Sequence, residues 1–333
     1  MRGPDFRGQA FGDDQILGNS LLFEAVALPI CLAIVVFAAT LFVKGAVSLA
    51  HRLSVPEFIV GSIIVAVGTS APEVAINVSA ALEQAGDIVI SNIVGSNIVN
   101  IALGVGIAAC IMSFDRARSE YIKTIVVGGL GAATLLAITV LTSQNGVSMF
   151  TRVFGGGLML AFLAFMWWSL RADSSNDEEE EIGEVAIPLA ILFIVGGAAA
   201  MAYFSDQAVL LSVDLAGRIG IPETVIGATI IAAGGSLPEV SSCIAAARIG
   251  RPNLVLGNIA GSQIFNILGI LGLSSLITGF TYTSDLWVDV MLLLGLTLLL
   301  IACIRIAGLR RFMGPVLVSG YGLYVIYLIA IST

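Results

Sequence analysis

Apolar residues run along this chain in long blocks parted by short polar interruptions, and the blocks carry the structural signal. A helix rises 1.5 Å per residue, so about 20 apolar residues cross the roughly 30 Å hydrocarbon core of a bilayer. Ten stretches reach that length: 21–50, 56–82, 87–112, 121–142, 148–170, 186–216, 222–247, 253–278, 286–305 and 313–332. The one substantial break is the acidic run DSSNDEEEEIGE at 173–184. The pattern predicts an all-α integral membrane protein of ten transmembrane helices. It divides into a tail at 1–20, a five-helix unit at 21–170, an acidic solvated linker at 171–185 and a second five-helix unit at 186–333. The tail is polar, and the first apolar stretch is longer than a signal h-region and lacks a small-residue cleavage site, so the tail is expected to stay uncleaved.

The two units are copies. A shift of 166 residues lays PEFIVGSIIVAVGTSAPEV (56–74) over PETVIGATIIAAGGSLPEV (222–240), and NIVGSNIVNI (92–101) over NIAGSQIFNI (258–267). Eleven of the 25 positions from 56 to 80 are identical to their counterparts, far above chance. Five crossings is an odd number, so the second copy enters the membrane from the opposite side. Inverted halves of this kind are the architecture of secondary transporters, with the site at the repeat interface near the midplane. Basic residues test the span count. With the N-terminus outside, Lys44, Arg52, Arg116, Arg118, Lys123, Arg171, Arg248, Arg251, Arg305, Arg310 and Arg311 fall inside, against Arg2, Arg7, Arg152 and Arg218 outside. Eleven against four supports ten spans with both termini outside, in a plasma (inner) membrane.

Composition agrees: 58% of residues are hydrophobic, 11% are charged, and mean hydropathy is +1.02. A net charge of −8 and a pI near 4.6 argue against a nucleic-acid partner and leave the lipid bilayer as the large one. Cys31, Cys110, Cys243 and Cys303 lie scattered in apolar stretches and read as small core residues. His51, the sole histidine, ends a stretch and reads as interfacial.

Each unit has two Pro-Glu pairs. Pro56-Glu57 and Pro222-Glu223 open their stretches, where a proline at the first helical position and an acid in the first turn suit a helix start. Pro72-Glu73 and Pro238-Glu239 lie 16 residues further in, at membrane depth. An acid there is costly and reads by default as functional. Gly68, Thr69, Ser70, Gly234, Gly235 and Ser236 precede these prolines, so the backbone is expected to unwind and turn carbonyls toward a cavity. A hard cation such as Ca²⁺ takes 6 to 8 oxygen ligands of these kinds, at about 2.3 to 2.6 Å. The second motif puts Ser96 and Asn100, and likewise Ser262 and Asn266, four apart on one helix face. Its asparagine stands 27 residues beyond the glutamate in both copies.

These paired motifs resemble the cation/Ca²⁺ exchanger (CaCA) superfamily, and within it the sodium/calcium exchanger branch, whose alpha-repeats carry G-[TS]-S-x-P-E and G-N-x-x-G-S-N-x-x-N. The resemblance spans essentially all ten stretches. It implies a Ca²⁺/Na⁺ antiporter working by alternating access, with broken helices at its centre, no catalytic activity and no cofactor, acting as a monomer. It further implies Glu73 and Glu239 as Ca²⁺ ligands with the backbone at Thr69 and Gly235. Sodium sites would use Ser70, Ser96, Ser236 and Ser262 with backbone oxygens at Ala66 and Ala232, and the amides of Asn100 and Asn266 would stand near the centre. In the same picture the first and sixth helices slide across the rest. The chain departs from the family pattern at Gly235, Gln263 and Asn266, the last of which leaves only two strong acids and makes potassium coupling doubtful. Two other readings stay open: a proton-driven Ca²⁺ antiporter, and an intramembrane protease with an acid dyad.

Overall fold

The structure is a computed structural model that describes residues 21–53, 55–115, 129–141, 148–171, 185–218, 232–282 and 286–332. Expectations for the tail, for residues 121–128, for most of the acidic linker and for Pro222-Glu223 lie outside these residues.

The described chain is nearly all helix. Its elements are α1 (Leu21–Leu53), α2 (Phe58–Thr69), α3 (Ala71–Leu82), α4 (Gly86–Ile111), α5 (Gly131–Leu141), β1 (Ser148–Phe150), α6 (Arg152–Arg171) and α7 (Ile187–Arg218). After these come α8 (Ala232–Gly235), α9 (Leu237–Arg248), α10 (Pro252–Ile277), β2 (Phe280–Tyr282), α11 (Trp287–Arg305), α12 (Ala307–Arg310) and α13 (Met313–Ser332). Among the described residues seven helices are long and apolar enough to cross a bilayer, and α2 with α3 forms an eighth, broken span bent by 52°. Several spans bury no more than one side of themselves in protein and turn apolar residues such as Phe37, Val153, Leu192 and Leu323 outward, as a lipid solvent requires.

Two corrections to the sequence reading follow. The stretch 148–170 does not begin as helix: Ser148–Phe150 pairs antiparallel with Phe280–Tyr282, and Phe150 stacks on Phe280 with ring centroids 5.2 Å apart. Cys110 is exposed, while Cys31, Cys243 and Cys303 are buried as expected.

The most extensive helix pairing is α1 along α7, and its ends show that the two run antiparallel. At one end Arg218 bridges the buried Glu24 at 2.9 Å and Asp214 at 3.0 Å. At the other, Ser48 Oγ and Arg52 Nε donate to the Val185 carbonyl at 3.1 and 3.0 Å. At the centre of the molecule α2 lies on α10 through small residues. Gly257 and Gly261, one helical turn apart, let the α2 backbone in so closely that a Cβ on Gly261 would stand 2.3 Å from the Ser62 carbonyl oxygen. Close approach of this kind replaces the hydrophobic drive that helices lack in lipid. It also joins residues from the two copies of the repeat.

Candidate functional site

The prolines are not in mid-helix. Ser70 (φ −83°, ψ 14°) and Ser236 (φ −92°, ψ 9°) leave helical geometry, and Pro72 and Pro238 then stand in the first turn of α3 and α9. First-turn N–H groups have no intrahelical partner, so a proline there loses nothing. Glu73 and Glu239 fall in those same first turns, at the positive end of each helix dipole. Starting a new helix at each removes the cost of the prolines and offsets only part of the cost of the buried acids.

The expected unwinding is narrower than anticipated. Ala66–Thr69 and Ala232–Gly235 remain helical, and the break is a single serine in each copy. Pro72 and Pro238 carry no N–H, however, so the Gly68 and Gly234 carbonyls lack the donor four residues on that a helix would supply. Thr69 Oγ1 is engaged with the carbonyls of Val65 at 2.9 Å and Ala66 at 3.2 Å, and the Ala66 carbonyl also accepts from the Ser70 N–H at 3.1 Å.

Ser70 Oγ, from the first break, donates to Glu239 Oε1 across 2.7 Å, which ties the first break to the acid of the second. Glu73 is 1% exposed with neither carboxylate oxygen hydrogen-bonded, and Glu239 is fully buried with Oε2 unpartnered. The Oγ atoms of Ser96, Ser236 and Ser262 and both polar side-chain atoms of Asn100 and Asn266 also lack protein partners, all at 1% exposure or less. Asn100 opens a π-helical turn at Asn100–Val105, and Asn266 is second in the matching turn Phe265–Ile270. Such widened turns recur at functional sites. Buried polar groups without partners are normally few and scattered. Here they are concentrated on the residues that the repeats single out, and two uncompensated carboxylates in this surrounding call for positive charge.

Among the described residues no group of three or more His, Cys, Asp or Glu could hold a metal. The site therefore offers two acids and a set of neutral oxygens, which suits a cation that is held and then released.

Sequence reasoning passed over Asn77, Asn97 and Asn258, which are buried with an unpartnered Oδ1 each. Asn77 donates to the Glu73 carbonyl at 2.7 Å and Asn97 to the Ile93 carbonyl at 2.7 Å, while Asn258 reaches the Glu239 carbonyl at 3.4 Å. The four-residue spacing of Asn77 from Glu73 was a readable signal. Gln263 turns away from the acids to donate to Thr297 Oγ1 on α11 at 2.9 Å.

A sequence profile described as "Sodium/calcium exchanger protein" matches residues 23–171 and 189–330. The chain is 30% identical over 323 residues to inner membrane protein YrbG of Escherichia coli (strain K12), covering 90% of this chain and 95% of that one. It is 30% identical over 326 residues to sodium/calcium exchanger MaX1 of Methanosarcina acetivorans, covering 86% and 93%. Among solved structures, the sodium-calcium exchanger NCX_Mj soaked with Na⁺ and Sr²⁺ superposes with a TM-score of 0.77 at 25% identity, over 94% of this chain and 99% of that one.

Proposed function

This chain belongs to the sodium/calcium exchanger protein family, and from that premise we propose that it is a secondary antiporter exchanging Ca²⁺ for Na⁺ at a site shared between two inverted five-helix repeats. The observation that carries the reading is the pair Glu73 and Glu239. They are two buried carboxylates from different copies of the repeat, three of whose four oxygens have no protein partner. One Ca²⁺ is neutralised by the two charges and draws on 6 to 8 oxygens. Glu73, Glu239 and the backbone at Thr69 and Gly235 form its centre, with Asn100 and Asn266 beside them. Na⁺ ions occupy overlapping positions that use Ser70, Ser96, Ser236 and Ser262 with backbone oxygens at Ala66 and Ala232. An empty pair of acids is too costly to carry across, so only a loaded carrier reorients, and the result is exchange.

Several features support the architecture. The antiparallel run of α1 and α7, each the first helix of its copy, is what inversion produces. Arg248, Arg251, Arg305, Arg310 and Arg311 lie toward the face opposite the β1–β2 ribbon, which by the positive-inside rule favours an external ribbon face in a plasma (inner) membrane, the orientation proposed for both termini. In this reading α1 and α7, tied at both ends, slide as one body across the rest. The acidic segment is a linker and the unit works as a monomer with no cofactor. Three Na⁺ against one Ca²⁺ moves one net charge per cycle, about 2.3 kcal/mol per 100 mV.

Proteoliposomes loaded with Na⁺ and diluted into Na⁺-free medium should take up ⁴⁵Ca²⁺, and Glu73→Gln or Glu239→Gln should abolish that uptake while the protein still elutes as a folded species. Full uptake by either variant removes the site. Uptake driven by a proton gradient and indifferent to Na⁺ replaces the coupling ion with H⁺.

A further inference from the structure

Glu73 and Glu239 are held in different ways. The carboxylate of Glu239 is pinned at Oε1 by Ser70 Oγ at 2.7 Å. The carboxylate of Glu73 accepts no hydrogen bond at either oxygen, although the residue is buried. With its head group unbonded, the direction of Glu73 is set by its backbone. That backbone is the first turn of α3, just past the break at Ser70, where N–H groups have no partner within the helix. The turn is held through its carbonyls. Val74 N–H donates to the Ser70 carbonyl at 3.1 Å. The Glu73 carbonyl accepts twice from one residue, from the Asn77 N–H as helix geometry requires and from Asn77 Nδ2 at 2.7 Å.

Asn77 is 0% exposed, and its Oδ1 has no partner. A polar side chain that joins helices in lipid directs its hydrogen bonds across the helix interface. Asn77 Nδ2 bonds within α3 instead, so the amide serves Glu73 rather than a neighbouring helix. Packing does not demand an amide here either, because the counterpart in the second copy is Cys243, equally buried. Cys243 Sγ accepts from Asn258 Nδ2 at 3.4 Å, and the same Nδ2 stands 3.4 Å from the Glu239 carbonyl. The Glu239 backbone thus has a long contact from α10 where Glu73 has a short bond from its own helix.

We propose that Asn77 is a positioning residue for the transport site, fixing the first turn of α3 so that the free carboxylate of Glu73 is presented to the cation in a binding geometry. The proposal rests on the reading of Glu73 and Glu239 as Ca²⁺ ligands. Groups that hold a ligand from behind orient it, and their loss weakens metal affinity about 10- to 100-fold. Each acid then has one fixed point, at the head for Glu239 and at the root for Glu73. A carboxylate fixed only at its root swings with the ion as it enters and leaves, while one fixed at its head stays in place. The two copies divide the work: Glu239 stays and Glu73 follows.

Two substitutions that differ from each other by one atom test this. Asn77→Cys installs the residue that the second copy already accommodates, with a weak S–H donor. Asn77→Ser installs a hydroxyl of similar size that can bond back to the carbonyl four residues earlier. In proteoliposomes under a fixed Na⁺ gradient, Asn77→Cys should raise the Ca²⁺ concentration for half-maximal ⁴⁵Ca²⁺ uptake about 10-fold, with the maximal rate within about twofold of wild type. Asn77→Ser should stay within about threefold of wild type in both. In detergent, the rise in melting temperature produced by Ca²⁺ should shrink for Asn77→Cys and persist for Asn77→Ser. Equal shifts in the two variants, no shift in Asn77→Cys, or a lower maximal rate with half-saturation unmoved overturns the role of Asn77. A lower ion-free melting temperature in both variants, with the Ca²⁺-induced rise intact, marks a structural amide and overturns it as well. Uptake retained by Glu73→Gln strikes the transport site and the role of Asn77 with it, whereas uptake lost in Glu73→Gln and normal in Asn77→Cys strikes Asn77 alone.

Discussion

The bond from Ser70 Oγ to Glu239 Oε1 makes a prediction that separates the two copies of the repeat. At 2.7 Å, with both residues fully buried, it joins a hydroxyl of the first break to the acid of the second. Removing one partner of a buried hydrogen bond leaves the other group unsatisfied and costs about 1 to 3 kcal/mol. Its repeat counterpart, Ser236 Oγ, has no protein partner. Ser70→Ala should therefore lower ion-free stability by about 2 kcal/mol, whereas Ser236→Ala, which removes an already unpaired group, should leave stability within about 0.5 kcal/mol or raise it. A double-mutant cycle with Glu239→Ala isolates the pair, and its coupling energy should also be about 2 kcal/mol. Thermal unfolding of purified protein without Ca²⁺ or Na⁺ is the assay. Equal losses for Ser70→Ala and Ser236→Ala, or a coupling below about 0.5 kcal/mol, would refute the assignment of this bond as the joint between the copies.

Three further outcomes are expected. Gly261→Ala places a methyl 2.3 Å from the Ser62 carbonyl oxygen, a backbone atom that cannot step aside, and should cost at least about 2 kcal/mol in thermal unfolding. Arg218→Gln leaves the buried Glu24 without its cation and should lower the melting temperature, a loss recovered in part by Glu24→Gln on the same background. At the opposite face, the Ser113 hydroxyl and then the Arg310 guanidinium hold the Asp115 carboxyl below its ordinary value of 3.8. A lowered folded value means that its contribution is complete above that pH and lost as pH falls through the folded value, so wild type and Asp115→Asn should differ in melting temperature at neutral pH and converge in acid.

Span positions were largely legible, since α4 and α10 fall within a residue of the expected stretches: an unbroken apolar run of 26 residues has few other solutions in lipid. The acids, the serines and Asn100 with Asn266 stand out in the sequence for a different reason, that the chain states them twice. That same device hid what is not duplicated. Asn77 stands opposite Cys243, so comparison of the copies passes over it. The extent of each break was not readable because glycine permits unwinding without compelling it, and the helices in fact continue to Thr69 and Gly235. Ser148–Phe150 was absorbed into an apolar stretch, because three residues become a strand only through partners 130 to 134 positions away.

That small ribbon has a mechanical consequence. It stitches the front half of the chain to the back half at one rim, just as the Gly257–Gly261 seat does in the middle. A molecule stitched at the rim as well as in the middle resists opening like a book, with each half turning as a leaf. Under the proposed exchange, the change of access would fall to α1 with α7, moving together against the rest as a sash moves in a fixed window frame.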